Sequence, residues 1–378
     1  QIVETGKFAF LDKDKRGDLK FLEDVQFVAA MNIPGGGKND IPNRLKRHFG
    51  VLTLTLPSIT SIDDIYGQML QGRFTDKEFD TTTLEIVEGL TRATISMWKT
   101  TKSKLLPTPA KFHYVFNMRD LSRVFQGVLL CPKDTILSGG TVKSGQEAAE
   151  TLLGLWKHEC MRVFCDKLTN EKDKKWYQSY MRQHIEASFP TLAERVIDEE
   201  LMFVDFLRDD VYDENDLLVE AAPKVYEDGG ILEQIKDRVN YYMGKYNEGK
   251  PPIRLELVLF DDAMRHLVRI SRILQMPRGS ALLVGVGGSG KQSLTRLAAY
   301  IGRHTLFQVS LTKQYNLQSL LDDVKNLYVS AGSYRKPTTF LFTENEIKDE
   351  MFLEVINNIL MTGQIPGLFA KDEMIAMT

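Results

Sequence analysis

The spacing of apolar residues changes along the chain, and each change marks a different kind of element. Residues 25–32, Val25-Gln26-Phe27-Val28-Ala29-Ala30-Met31-Asn32, form a short, mostly apolar run of the kind found in a buried central strand. A charged turn, Asp12-Lys13-Asp14-Lys15-Arg16-Gly17-Asp18, precedes it, and residues 51–56 are strand-like again. From residue 58 to about 138 apolar positions recur at three-to-four spacing, which predicts helices; Ser61 and Asp63 are candidate caps of the first, and residues 81–99 are the most regular stretch. Pro107 and Pro109 interrupt this block, after which Arg119 and Arg123 lie one helical turn apart on a shared face. A further helical block covers 145–166, and residues 169–248 are charged and mixed, without an internal repeat.

Past the linker-like Gly249-Lys250-Pro251-Pro252 the pattern begins to alternate. Strands are predicted over 255–260, 281–284, 305–310 and 338–343, and helices over about 261–275, 294–300 and 317–328. Such alternation calls for a mainly parallel sheet with its chemistry at the C-terminal ends of the strands. The last strand ends in Glu344-Asn345-Glu346, and the strand over 281–284 ends in a glycine-rich stretch, so these two sites are expected at neighbouring strand ends. The predicted class is α/β, with a helical region between two partial α/β regions.

The glycine-rich stretch is Gly285-Val286-Gly287-Gly288-Ser289-Gly290-Lys291-Gln292-Ser293. Between a strand and a helix, this spacing makes a phosphate cradle. The glycines let backbone N–H groups converge, Lys291 supplies a point charge, and the helix N-terminus adds its dipole. A glycine-rich connector packing a helix onto a sheet would leave Lys291 unexplained. Elsewhere the residues are ambiguous. Asn32 is either a ligand-facing group at a strand end or a turn-former before Ile33-Pro34-Gly35. Arg44 and Arg47, in Asn43-Arg44-Leu45-Lys46-Arg47-His48, are either a solvated face or part of a site. His158 has no partner at metal spacing and is expected to pack or cap.

Composition narrows the partners. The 378 residues suffice for two or three domains, and 43% hydrophobic with 26% charged residues is an ordinary globular balance. A net charge of -3 gives no reason to expect nucleic acid. The three cysteines, Cys131, Cys160 and Cys165, lack zinc spacing and are expected as free thiols. No run of 18 apolar residues is present, so no membrane span is expected. Beginning at Gln1-Ile2-Val3-Glu4, the sequence is expected to be a fragment of a longer polypeptide.

Several phrases together resemble a dynein heavy chain of the axonemal, ciliary type. They are Leu106-Pro107-Thr108-Pro109-Ala110-Lys111-Phe112-His113-Tyr114, Phe116-Asn117-Met118-Arg119-Asp120-Leu121-Ser122-Arg123, Trp156-Lys157-His158-Glu159-Cys160, and Ala263-Met264-Arg265-His266-Leu267-Val268-Arg269-Ile270-Ser271-Arg272-Ile273-Leu274 running into the glycine loop. The resemblance covers nearly the whole chain and implies AAA+ phosphate-loop modules, each a parallel sheet flanked by helices, with a helical small subdomain between two partial large subdomains. Residues 1–57 would be the later part of a third module's large subdomain, 58–200 its helical small subdomain, and 201–378 the earlier part of a fourth module. The implied setting is a microtubule motor in the cytoplasm and ciliary or flagellar axoneme. Its partners would be the other modules of the same heavy chain, intermediate and light chains, and the microtubule through parts outside this segment.

The resemblance also implies roles. Asn32 matches a sensor-one position and Arg119 a sensor-two arginine, while Arg44 and Arg47 lie where the family places an arginine finger for the preceding module. Glu344 matches the Walker B glutamate, and Val258 and Leu259 would lie against adenine of bound ATP or ADP. Phosphate-loop enzymes hold Mg²⁺ with a Ser or Thr directly after the Lys and an acidic residue on the Walker B strand. Here those positions are Gln292 and Thr343, leaving Ser293 or Glu344 to reach the metal through water. The expectation is a site that holds nucleotide and hydrolyses it weakly or not at all; the alternative is a hydrolysing module that drives rearrangement of the ring. A free-standing phosphate-loop kinase is disfavoured by the helical region ahead of the loop.

Overall fold

A computed structural model describes residues 2–10, 14, 16–31, 40–137, 145–198, 202–213 and 218–377, and the chain separates into two units, Gln1–Ser58 and Ile59–Thr378. In the first, α1 (Ile2–Thr5) leads into an antiparallel hairpin of β1 (Lys7–Ala9) and β2 (Leu19–Phe21), and α2 (Asn43–Lys46) follows. The strand expected over residues 25–32 does not form in its described part, where Val28 is 96% exposed. The run at 51–56 is likewise irregular, with Leu54 93% exposed. An apolar run becomes a strand only when a neighbour pairs with its N–H and C=O groups, and among the described residues neither run has one.

The second unit opens with helices: α3 (Ile59–Arg73), α4 (Thr81–Lys104), α5 (Met118–Leu130), α6 (Lys133–Leu137), α7 (Gly145–Cys160), α8 (Glu171–Ser188) and α9 (Ala193–Asp198). Because α3 begins at Ile59, Ser61 and Asp63 lie inside it rather than capping it. Asp80 caps α4 by accepting the N–H groups of Thr82 at 3.2 Å and Thr83 at 3.3 Å. From there Ile86, Leu90, Ala93, Met97 and Thr101 are buried at helical spacing. The Trp156 indole of α7 donates to Thr94 Oγ1 at 2.7 Å, so this core leaves neither polar group without a partner. His158 packs against the rings of Phe203 and Tyr226, as a packing residue would. After Cys160 the helix widens into a π turn, Met161–Cys165.

Two short antiparallel pairs follow, β3 (Phe203–Val204) with β6 (Glu227–Asp228), and β4 (Val211–Tyr212) with β5 (Leu218–Glu220). Beyond them come α10 (Leu232–Glu248), α11 (Asp261–Gln275), α12 (Lys291–Ile301), β7 (Thr305–Gln308), α13 (Leu317–Tyr328), β8 (Thr338–Leu341), α14 (Glu350–Thr362) and α15 (Lys371–Met377). Strands β7 and β8 are parallel, paired from Thr305↔Thr338 to Gln308↔Leu341, which realises two of the expected strands in shortened form. The strands expected over 255–260 and 281–284 do not form, and Val258 and Phe260 instead close a tight turn with a 3.2 Å backbone bond. Leu255 and Leu259 are buried in the core with α11 and α12, whereas Leu282 and Val284 are each 88% exposed. The physical reason is again the missing partner strand among the described residues, since hydrophobicity alone makes no ladder.

One buried ion pair joins the helical region to the α/β region. Glu159, at the end of α7, is fully buried; the Arg272 Nε on α11 donates to both its oxygens at 3.0 Å, and the Tyr226 hydroxyl donates to Oε1 at 2.7 Å. Burial opposes the charge on Arg272, but the Glu159 carboxylate outweighs it and leaves the guanidinium more firmly protonated than usual. A side chain at Gly127 of α5 would place its Cβ 1.7 Å from Glu159 Oε2, so α5 can pack here only as glycine. Beside it, Asp166 forms ion pairs with Arg162, whose Nε lies 2.7 Å away, and with Arg269 of α11, whose Nε lies 3.2 Å away. Arg272→Met, which strands a buried carboxylate, is expected to destabilise the fold by about 3–5 kcal/mol, whereas Glu159→Leu combined with Arg272→Met recovers most of that loss. Chemical denaturation followed by tryptophan fluorescence measures both.

All three cysteines are free and buried. Burial pushes the Cys131 and Cys165 thiols up to about 11 and Cys160 well above its ordinary value, so all stay protonated and unreactive at neutral pH. Disulfide-exchange reagents at pH 8 are expected to label none of them quickly in the native protein and all of them after denaturation.

Candidate functional site

The glycine loop turns through two glycines in the left-handed region, Gly288 at φ 78° and Gly290 at φ 75°. Only glycine adopts that conformation without strain, and the second of these turns delivers the chain into α12. The Gly290 carbonyl accepts the Leu294 N–H at 2.9 Å, the first bond of that helix. The helix-opening N–H groups have no acceptor within the helix and face outward with its positive dipole end. Lys291 is the first residue of α12, and its Nζ donates to the carbonyls of Gly285 at 2.6 Å and Val286 at 2.8 Å. The ammonium is thereby held against the loop, beside the N–H groups that would meet a phosphate. Gly287 and Val286 are exposed, as are Ser289 and Gln292, while Ser293 is half-buried in the first turn.

Glu344 and Thr343 follow β8. Glu344 is exposed on a single 3-10 turn, Glu344–Glu346, whereas Glu346 is only 4% exposed. Its carboxylate accepts the Thr343 N–H at 2.6 Å and the Gln308 Nε2 at 2.8 Å. The Gln308 Oε1 in turn accepts from the Arg296 guanidinium of α12. The helix opened by Lys291 and the turn carrying Glu344 are thus tied by three side chains, none of which stood out in the sequence. The signal for Glu346 was present as Thr343-x-x-Glu346, a capping-box spacing.

The other candidates each stand within their own unit. Arg119 is exposed on the first turn of α5 and has no hydrogen bond to the glycine loop; its helix is capped by Asn117 and by Asp120, which also receives Lys167 at 3.1 Å. Arg44 is exposed on α2, and Arg47 donates to Glu4 at 3.4 Å, both within the first unit. Asn32 falls outside the described residues. Leu259 is buried, and Val258, 84% exposed, stands just before α11.

The loop fits a phosphate. Its fit to Mg²⁺ is poorer: Thr343 offers a neutral hydroxyl, Gln292 an amide, and the Glu346 carboxylate is turned inward, leaving Glu344 as the acid at the end of β8. Among the described residues no group of three or more His, Cys, Asp or Glu side chains is placed to hold a metal. No helix among them is long and apolar enough to cross a membrane.

Three family models match the chain: a P-loop containing dynein motor region over residues 2–57, an AAA+ lid domain over 90–199, and the P-loop containing dynein motor region D4 over 255–378. Over 99% of its length the chain is 45% identical to the dynein gamma chain of the flagellar outer arm of Chlamydomonas reinhardtii. The chain belongs to the dynein heavy chain family. It is also 46% identical over 97% of its length to mouse dynein axonemal heavy chain 8, and 44% identical over 99% to rat dynein axonemal heavy chain 5. It spans only 8% of the first two relatives and 11% of the third. The fold is therefore that of dynein AAA+ motor domains with their lid, and phosphate-loop domains of this family imply nucleotide binding.

Within this dynein loop the two kinds of glycine separate experimentally. Gly290→Ala, forced to positive φ, is expected to lower stability by about 1 kcal/mol, and Gly287→Ala, with open space around it, to be nearly neutral. Shifts of the thermal midpoint distinguish them.

Proposed function

We propose that this chain is the segment of an axonemal dynein motor in which residues 1–57 complete a third AAA+ large subdomain, 58–200 form its helical small subdomain, and 201–378 begin a fourth module. That fourth module holds ATP or ADP at the glycine loop, with adenine near Val258 and Leu259, and stiffens the ring rather than driving it by hydrolysis. The observation that carries this reading is the donor set. Backbone amides and Lys291 favour phosphate, while Gln292 and Thr343 stand where Mg²⁺ needs a hydroxyl and a carboxylate. Metal held through water by Ser293 and Glu344 supports binding better than turnover, because turnover depends on charge neutralised at the terminal phosphate.

In this reading Glu344 orients water at the fourth module. Asn32 and Arg119 serve the third module's own nucleotide, and Arg44 and Arg47 reach toward the module before it. The parent protein acts as an ATPase motor in cilia or flagella, assembling with intermediate and light chains and walking on microtubules through parts outside this segment. The relatives named for flagellar and axonemal dyneins support that setting.

Lys291→Ala in the intact motor polypeptide is expected to remove one bound fluorescent nucleotide per chain and to leave phosphate release from the whole motor close to wild type. Phosphate release that vanishes with Lys291→Ala would instead make this module a hydrolysing ATPase.

A further inference from the structure

Glu344 is the exposed first residue of a single 3-10 turn, an element whose own hydrogen bonds are poorly aligned. What holds it is buried. Glu346 ends the turn at 4% exposure, and a carboxylate taken out of water must find donors. It finds the Thr343 N–H at 2.6 Å, closing the turn on itself, and Gln308 Nε2 at 2.8 Å, at the last residue of β7. Gln308 spends its other amide atom on Arg296, which belongs to the helix that Lys291 opens. A second strut, Lys348 Nζ to the Thr312 carbonyl at 2.5 Å, fixes the chain just beyond the turn.

We infer that Glu346 is the positioning residue of the nucleotide site, setting the placement of Glu344 relative to the Lys291 helix through Gln308 and Arg296. The inference rests on the reading that the glycine loop holds nucleotide. The loop's own amides and Lys291 suffice for the inner phosphates, which do not involve Glu344. On the proposed reading, a third phosphate would be the part of the nucleotide nearest the end of β8, where Glu344 stands only as steadily as Glu346 holds its turn. Glu346 therefore acts on discrimination between tri- and diphosphate and touches neither.

The test measures binding of fluorescent ATP and ADP analogues to the intact motor polypeptide, with Lys291→Ala defining the background from any other site. Glu346→Ala is expected to weaken Lys291-dependent ATP binding about tenfold while leaving ADP within about twofold; Glu346→Gln, which keeps an acceptor for Thr343, falls between. Gln308→Leu is expected to shift the same ratio, and the double variant to be no worse than the stronger single one. Equal weakening of both nucleotides, or none, overturns the positioning role and reduces Glu346 to a structural residue. If Glu346→Ala fails to fold, Gln308→Leu decides: a shifted ratio upholds the inference and an unshifted one overturns it. Absence of any Lys291-dependent binding in the wild type overturns the nucleotide reading and this inference with it.

Discussion

The pairing of Glu159 with Arg272 holds several elements of the molecule to one arrangement. A carboxylate with no exposure is tolerable only when its lone pairs are filled, and here a guanidinium and a tyrosine hydroxyl fill them. Each demand propagates. Arg272 fixes α11 against α7, Tyr226 fixes the segment entering β6, and the space left for α5 admits only Gly127. A buried pair of this kind adds little net stability over an apolar substitute, but it admits few alternative docking geometries. The helical region and the α/β region accordingly belong to one compact unit, Ile59–Thr378.

This continuity matters because α11 ends shortly before the glycine loop. Its C-terminal turn is tight: a Cβ on Gly279 would lie 1.8 Å from the Ile273 carbonyl oxygen. Helices α11 and α12 share one core through Leu267, Val268, Leu294 and Leu297, so the loop between them is anchored at both ends although its own residues face solvent. A rigid frame around a backbone of glycines is what a phosphate cradle requires, since the amides must already point at the anion when it arrives. The frame's orientation comes from the α7 side, where Asp166 and Glu159 receive two arginines spaced along one face of α11.

Helices were legible where an apolar stripe recurs locally: the spacing at 261–275 and 317–328 coincides with α11 and α13. Helices α8 and α10, with polar residues on most of their surface, lie in the stretch read only as charged and mixed, and the caps are Asp80, Asn117 and Asn316 rather than Ser61 and Asp63. Strands were legible only where both partners are present. Residues 305–308 and 338–341 pair, whereas 281–284, with the same apolar character, meets no partner among the described residues and stays exposed. The glycine loop was legible because its chemistry is written in consecutive residues. The Glu159 clamp was not, as its two charges are 113 positions apart and each alone resembles an ordinary surface residue. Glu346 carried only the Thr343-x-x-Glu346 spacing as a signal: two acids one residue apart look alike in sequence, and the fold turns Glu344 outward and Glu346 inward.

That division of labour between two acids bears on the missing metal carboxylate. A carboxylate at the end of β8 could serve a backbone donor with one oxygen and a cation with the other, because its charge is shared over both. Thr343 has a single neutral hydroxyl and cannot do both. The negative charge that does lie buried behind it, on Glu346, is already committed to a backbone N–H and to Gln308, and moving it toward a cation would undo the turn that presents Glu344. The same residues that steady the site thus withhold charge from it. On the proposed reading, anion recognition, which draws on amides and Lys291, would be untouched by that arrangement, and only chemistry that needs a tightly held cation would be weakened.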